Sequence, residues 1–249
     1  MREAYSIIIV IHSDKSRRTE SGGEVWRKGG LLFAILMALL LVINGFSVSQ
    51  ADSPPRYQAE ELYSHVEEAV FYVRVLREDG TLKDVGTGFL IRPDGTALTA
   101  YHVVEEAAQV ECVLNDQSTV IGRVTARNEA ADTAVLKLEQ PADNAGIQQR
   151  TYPFIPLRTG QMKHGGKVFA IGFPMKGTKI ITEGIVNTPR ASINGRDRLL
   201  VSAELVNGMS GGPLLDELGY AAGILSGSLR TMSGIHLAVS AEDAAAVAK

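Results

Sequence analysis

Short apolar or alternating runs recur along most of the chain between glycine, proline and Asn/Asp breaks. They are VFYVRVL, GFLI, TALTA, QVECVL, VIGRVTA, TAVLKLE, KVFAIG, KIITEGIV, LLVSAEL, GGPLL, AAGILSG and IHLAV. Side chains alternate across a strand, so runs of this length, rich in β-branched residues and bounded by turn formers, predict strands. Their spacing is that of an all-β sandwich or barrel and excludes alternating βα units. A dozen strands fit two six-stranded barrels. DNAGIQQRTYPFIPLR (143–158) lacks strand periodicity and predicts the crossover, which gives barrel one about 66–142 and barrel two about 159–249. Two helices are expected. ELYSHVEEAV (61–70) follows the proline-bearing ADSPPRYQ within a lead-in at 52–65, and Ser240–Lys249 opens on a capping serine with Glu242 and Asp243 in its first turn. No second domain is expected beyond 66–249.

Ahead of the strands, LLFAILMALLLVI (31–43) follows Trp26-Arg27-Lys28 and precedes Ser49-Gln50-Ala51, a small-x-small exit. The apolar stretch is shorter than the roughly 20 residues of a bilayer-spanning helix, and basic residues precede it. Residues 1–51 therefore predict an N-terminal extension with a signal peptide, and an exported protein, periplasmic or secreted. Contact with membrane is expected only if 31–43 is retained as an anchor, which would leave the protein membrane-anchored and facing outside the cytoplasm.

Composition narrows the chemistry. With 45% hydrophobic and 21% charged residues in 249, the chain is globular, and a net charge of -3 gives no basic excess for nucleic acid. The single cysteine, Cys112, excludes an internal disulfide and any paired-cysteine metal site. His12, His65, His102, His164 and His236 lie far apart, without ligand spacing, so no metal and no cofactor are expected.

Three segments hold residue types that acyl transfer needs: a nucleophile, a base, an acid that orients the base, and donors for an oxyanion. In GTGFLIRPDGTALTAYHVV (86–104), His102 stands just beyond a strand, where a base is held rigidly yet can face a cleft. In NEAADTAVLKLE (128–139), Asp132 opens an apolar strand, where a part-buried carboxylate can fix an imidazole tautomer. In ELVNGMSGGPLLD (204–216), glycines flank Ser210 and let the backbone turn its N–H groups toward a substrate carbonyl, so Gly208 and Ser210 would form an oxyanion hole. The context of Ser210 is the most specific of the three.

TAYHVV, ADTAVLKLE and NGMSGGPLLD, in that order, resemble the histidine, aspartate and serine segments of the trypsin-like serine proteases, and within them the HtrA/Deg branch. FAIGFPMKGTKIITEGIV (169–186) and GIHLAVSAEDAAAVAK (234–249) extend the resemblance over roughly 66–249. The resemblance implies a chymotrypsin-like double six-stranded β-barrel with a short C-terminal helix and a triad of His102, Asp132 and Ser210 in the cleft. It implies a serine endopeptidase acting on protein or peptide substrates. It also implies that Ser226, Gly227 and Ser228 line the substrate channel, where an extended peptide would add as a strand, with Ser226 supporting Asp132. Members of the family often trimerise, so an oligomer is among its implications. A catalytically silent peptide-binding module on the same fold is the alternative.

The sequence departs from the HtrA/Deg pattern in three places. Met209 stands where asparagine is usual, no PDZ domain follows, and the loop REDGTLKDVG (77–86) is short. Glu204 lies six residues before Ser210, where the resemblance places the floor of the primary specificity pocket. A carboxylate there would favour a basic side chain, whereas an outward-facing Glu204 would have a surface partner. Specificity stays open between these two.

Overall fold

The computed structural model describes residues 56–139, 151–229 and 231–249. The predicted signal segment, and the predicted crossover from 143 to 150, lie outside the described residues.

Every predicted run carries a strand. The first six are β1 (Val70–Leu76), β2 (Leu82–Leu90), β3 (Thr96–Thr99), β4 (Gln109–Val113), β5 (Thr119–Asn128) and β6 (Thr133–Leu138). The second six are β7 (Lys167–Met175), β8 (Thr178–Ile193), β9 (Arg196–Val201), β10 (Pro213–Asp216), β11 (Ala221–Ser228) and β12 (His236–Ser240). Antiparallel ladders close each set into a barrel, in the orders β1-β2-β3-β6-β5-β4 and β7-β8-β9-β12-β11-β10. The two barrels thus share one connectivity, and closure gives every strand two neighbours, although Ser226–Ser228 of β11 run past the end of β10.

Three elements differ from expectation. The N-terminal helix α1 covers Ala59–Val66 instead of 61–70: Glu61 accepts the Gln58 N–H at 3.3 Å and opens the helix early. A 3₁₀ turn, Glu67–Ala69, then releases Val70, which is fully buried and paired with Phe89 in β1. The second half of the segment 77–86 belongs to β2, and only residues 77–81 turn, tied by the Arg77 N–H to the Thr81 carbonyl. The single helical turn α2, Tyr101–Val104, was not anticipated, because four residues carry no readable period. The C-terminal helix α3, Ala241–Val247, is capped as expected, with Ser240 Oγ accepting the Asp243 N–H at 3.2 Å.

Phe71, Phe89, Leu98 and Leu136 are at most 1% exposed and fill the first barrel; Leu199, Val201, Leu214 and Leu225 do the same in the second. Each such burial contributes about 1.5–3 kcal/mol relative to exposure. The larger apolar cluster also takes in Phe169, Ile171, Leu215 and Ile224 of barrel two, so the barrels share a seam of core. Cys112 is sealed in that cluster, and burial pushes its thiol pKa up, which leaves it protonated and inert.

Candidate active site

β3 pairs with β6 in the register Thr99↔Ala134, which lays the end of β3 beside the start of β6. The residues just past those ends are His102, on α2, and Asp132, the last turn residue before β6. His102 Nδ1 lies 3.0 Å from both Asp132 carboxylate oxygens, and Oδ1 also accepts the His102 backbone N–H at 3.1 Å. Ser226 Oγ, from β11 of the other barrel, donates to Asp132 Oδ2 at 2.5 Å. Asp132 is 5% exposed and sits at φ +47°, a left-handed conformation that costs about 1–2 kcal/mol and is held by these contacts.

Burial by itself pulls the His102 pKa down, but the hydrogen bond and charge of Asp132, with Asp84 and Glu105 further off, lift it above the ordinary histidine value. Burial likewise opposes the charge on Asp132, and the bonds from His102 and Ser226 outweigh it, holding the carboxyl below its ordinary range. The carboxylate can only accept, so Nδ1 carries the proton and Nε2 presents a lone pair.

Ser210 lies on a loop whose glycines are enforced by space. Gly208 is at φ +91°, and a Cβ there would fall 2.4 Å from the Phe173 carbonyl oxygen. Gly211 is at φ +86°, and its Cβ would fall 2.2 Å from the Thr87 oxygen. The Met209, Gly211 and Gly212 N–H groups donate to Val206, Leu225 and Met209 carbonyls. Among the described residues the Gly208 and Ser210 N–H groups have no acceptor, which leaves two donors on either side of Met209. The Ser210 carbonyl accepts the Thr87 N–H at 2.8 Å and lies against Gly86 beside Val103, the neighbour of His102. No hydrogen bond joins Ser210 Oγ to His102 among the described residues.

Residues 86–224 match the model of the trypsin-like peptidase domain. The chain belongs to that family. Within it, the chain is similar to Protease Do-like 1, chloroplastic, of Arabidopsis thaliana, at 28% identity over 76% of this chain and 46% of the relative. Serine endoprotease DegS of Salmonella typhimurium is 30% identical over 79% of this chain and 56% of its own length. The crystal structure of the serine endoprotease from Yersinia pestis superposes with a TM-score of 0.65 at 25% identity, covering 77% of this chain and 65% of that one. The chain spans about half the length of these curated relatives.

Met209 and Glu204 of this trypsin-like peptidase domain now have a physical description. Met209 is fully buried in the core of barrel two, packed where Gly172 has no side chain, so its role is apolar anchorage of the serine loop. The Glu204 side chain is 66% exposed, and its Oε2 lies 3.3 Å from Nε2 of His236, whose own side chain is only 5% exposed, so the carboxylate faces outward over a buried histidine. Ser228 Oγ engages His236 Nδ1 at 2.8 Å. Of the three channel residues expected from the resemblance, Ser226 is joined to Asp132, Ser228 to His236, and Gly227 leaves open space.

His65 stacks on Tyr57 and His164 bonds the Asn187 carbonyl, so neither joins the site. Sequence reasoning missed Thr87. Its buried hydroxyl donates to the Gly208 carbonyl at 2.8 Å and accepts the Phe173 N–H at 2.9 Å, fixing the loop against barrel one. The only signal was a hydroxyl residue inside an otherwise apolar strand end.

Proposed function

We propose that the protein is a serine endopeptidase that hydrolyses peptide bonds through an acyl-enzyme on Ser210. His102 Nε2 takes the Ser210 hydroxyl proton as Oγ bonds to the substrate carbonyl carbon, and the carbonyl oxygen gains the charge. The free Gly208 and Ser210 amides bind that oxygen. The proton then passes from Nε2 to the leaving amine as the C–N bond breaks, and water attacks the ester by the same route. Asp132 holds the tautomer and balances the imidazolium. The observation that carries this reading is the His102 imidazole clamped by both Asp132 oxygens, in a domain whose serine loop keeps two amides without acceptors.

An extended substrate pairs along Ser226–Ser228, with backbone bonds supplying affinity. The segment at 31–43 supports export and action in the cell envelope, on protein quality control. No cofactor takes part in the proposed steps.

A fluorophosphonate probe tests the chemistry. Wild type should be labelled on Ser210, with peptide mapping as readout, and Ser210→Ala should not be labelled. Equal labelling of the variant, or none of the wild type, would sink the proposal. The silent-module alternative gives peptide binding indifferent to Ser210→Ala and no casein cleavage at any pH.

A further inference from the structure

A cleft of about 450 Å³ opens beside His102 and Asp132, and Ser226, Leu237, Arg196 and Arg198 are among the residues that line it. Arg198 is unusual there. It is only 6% exposed, yet among the described residues no carboxylate stands within ion-pair distance of it. Among the described residues its guanidinium makes two hydrogen bonds, both to carbonyls: Nη1 to Asp197 at 2.7 Å and Nη2 to Ala130 at 3.5 Å. A guanidinium has five N–H donors, so most of its capacity is unspent.

Every acidic group that acts on Arg198 has work elsewhere. Asp132 is filled by His102 and Ser226, Asp197 takes Arg190, and Asp243 bonds Ser240. Burial disfavours the Arg198 charge and Arg196 adds repulsion, while Asp132, Asp243 and Asp197 partly offset both. Arginine nonetheless stays charged, and a buried cation without a directly paired counter-charge is costly. Such a group persists in a cleft when something else supplies the anion.

Arg196 reinforces the sign. It follows the Asn194-Gly195 turn of the β8–β9 hairpin, where both residues have positive φ, and among the described residues its guanidinium bonds only Glu129, in an exposed contact of 3.3 Å. The cleft thus has a buried guanidinium at depth and an exposed one at its rim. Ser226 of the expected substrate strand lines the same cleft.

We propose that this cleft is a specificity subsite for one acidic side chain, aspartate or glutamate, of the peptide being cleaved. Arg198 binds the carboxylate and Arg196 steers it in. The inference rests on the reading of Ser210 as the nucleophile of peptide hydrolysis. The planar fork of Arg198 suits a carboxylate's two oxygens. Alternate residues of an extended chain face opposite ways, so the acid is read at one position and not at its neighbours.

The test maps the sites cut in unfolded casein and builds peptides around the most used one. Glutamate is walked through the three positions on either side of the scissile bond, with glutamine as the control. Wild type should prefer Glu over Gln at a single position by about tenfold in kcat/KM, the scale of one charge-assisted bond. Arg198→Met should bring that ratio near one. A purely structural Arg198 would slow both peptides alike and keep the ratio, which overturns the subsite. Should Arg198→Met fail to fold, the exposed Arg196→Glu decides: the ratio should fall, and an unchanged ratio counts against the proposal. Equal cleavage of Glu and Gln peptides by wild type at every position refutes the subsite and leaves the hydrolytic reading standing. No cleavage of any peptide removes both.

Discussion

At His102, burial and Asp132 act in opposite directions, and the sign of their sum is measurable. Asp132 prevails, so the imidazole pKa lies above 6.5. The base must be neutral to accept the Ser210 proton. Activity should therefore be lost as pH falls through that raised pKa and be full above it, giving kcat/KM an inflexion above 6.5. Asp132→Asn removes the charge and turns one of the two acceptor oxygens into an NH2 donor, but leaves the burial. The inflexion should then move below the ordinary value, and kcat should fall by about 10⁴-fold. A pH–rate profile of both proteins checks this, and an inflexion that stays put would show that Asp132 does not govern His102. The residues were unequally legible beforehand. Ser210 announced itself because the glycines around it are demanded by contacts of 2.2–2.4 Å that a Cβ could not make. His102 and Asp132 carry no such local constraint and were readable only through order and resemblance. Arg198 and Thr87 were not readable, because their meaning lies in what is absent or present across the barrel interface.

Among the elements, strands were legible because each run brings its own period and its own breaks. The helical turn α2 was not, since its geometry is imposed by β3 and the Asp132 carboxylate rather than by sequence. The serine loop shows the same division. Its glycines could be read, whereas the place of Met209 depends on the hollow left by Gly172. Restoring the asparagine usual in the HtrA/Deg pattern provides the test. Met209→Asn would bury an amide among Val168, Leu205 and Leu214 without designed partners and would lose apolar contact. A destabilisation of about 2–4 kcal/mol is expected, read by urea unfolding. The fraction still folded should keep its fluorophosphonate labelling, because the proposed oxyanion donors are backbone groups. Wild-type stability in this variant would refute the anchoring role.

Across the whole molecule, each terminal helix reaches the opposite barrel. The Tyr57 N–H before α1 donates to the Glu217 carbonyl, and the carbonyl of Glu67, just after α1, accepts Lys179 Nζ; both partners belong to barrel two. Arg92 of barrel one in turn donates to the Ala248 carbonyl after α3 at 2.9 Å. With the shared apolar seam, these ties should make the barrels unfold in one cooperative step. Thr87 is the point where that coupling meets the proposed chemistry, since one hydroxyl of barrel one serves both Phe173 and Gly208 of barrel two. Thr87→Val keeps the shape and deletes the hydroxyl, so a buried N–H and a carbonyl lose their partner together. That should cost about 2–4 kcal/mol, read as a lower midpoint in a single urea transition. Because the Gly208 carbonyl is then free to turn, the neighbouring Gly208 and Ser210 amides lose their fixed aim, and kcat should drop further than the folded fraction explains. Two separate transitions would mean that the barrels are independent. Activity tracking the folded fraction alone would mean that Thr87 holds the barrels together without aiming the loop.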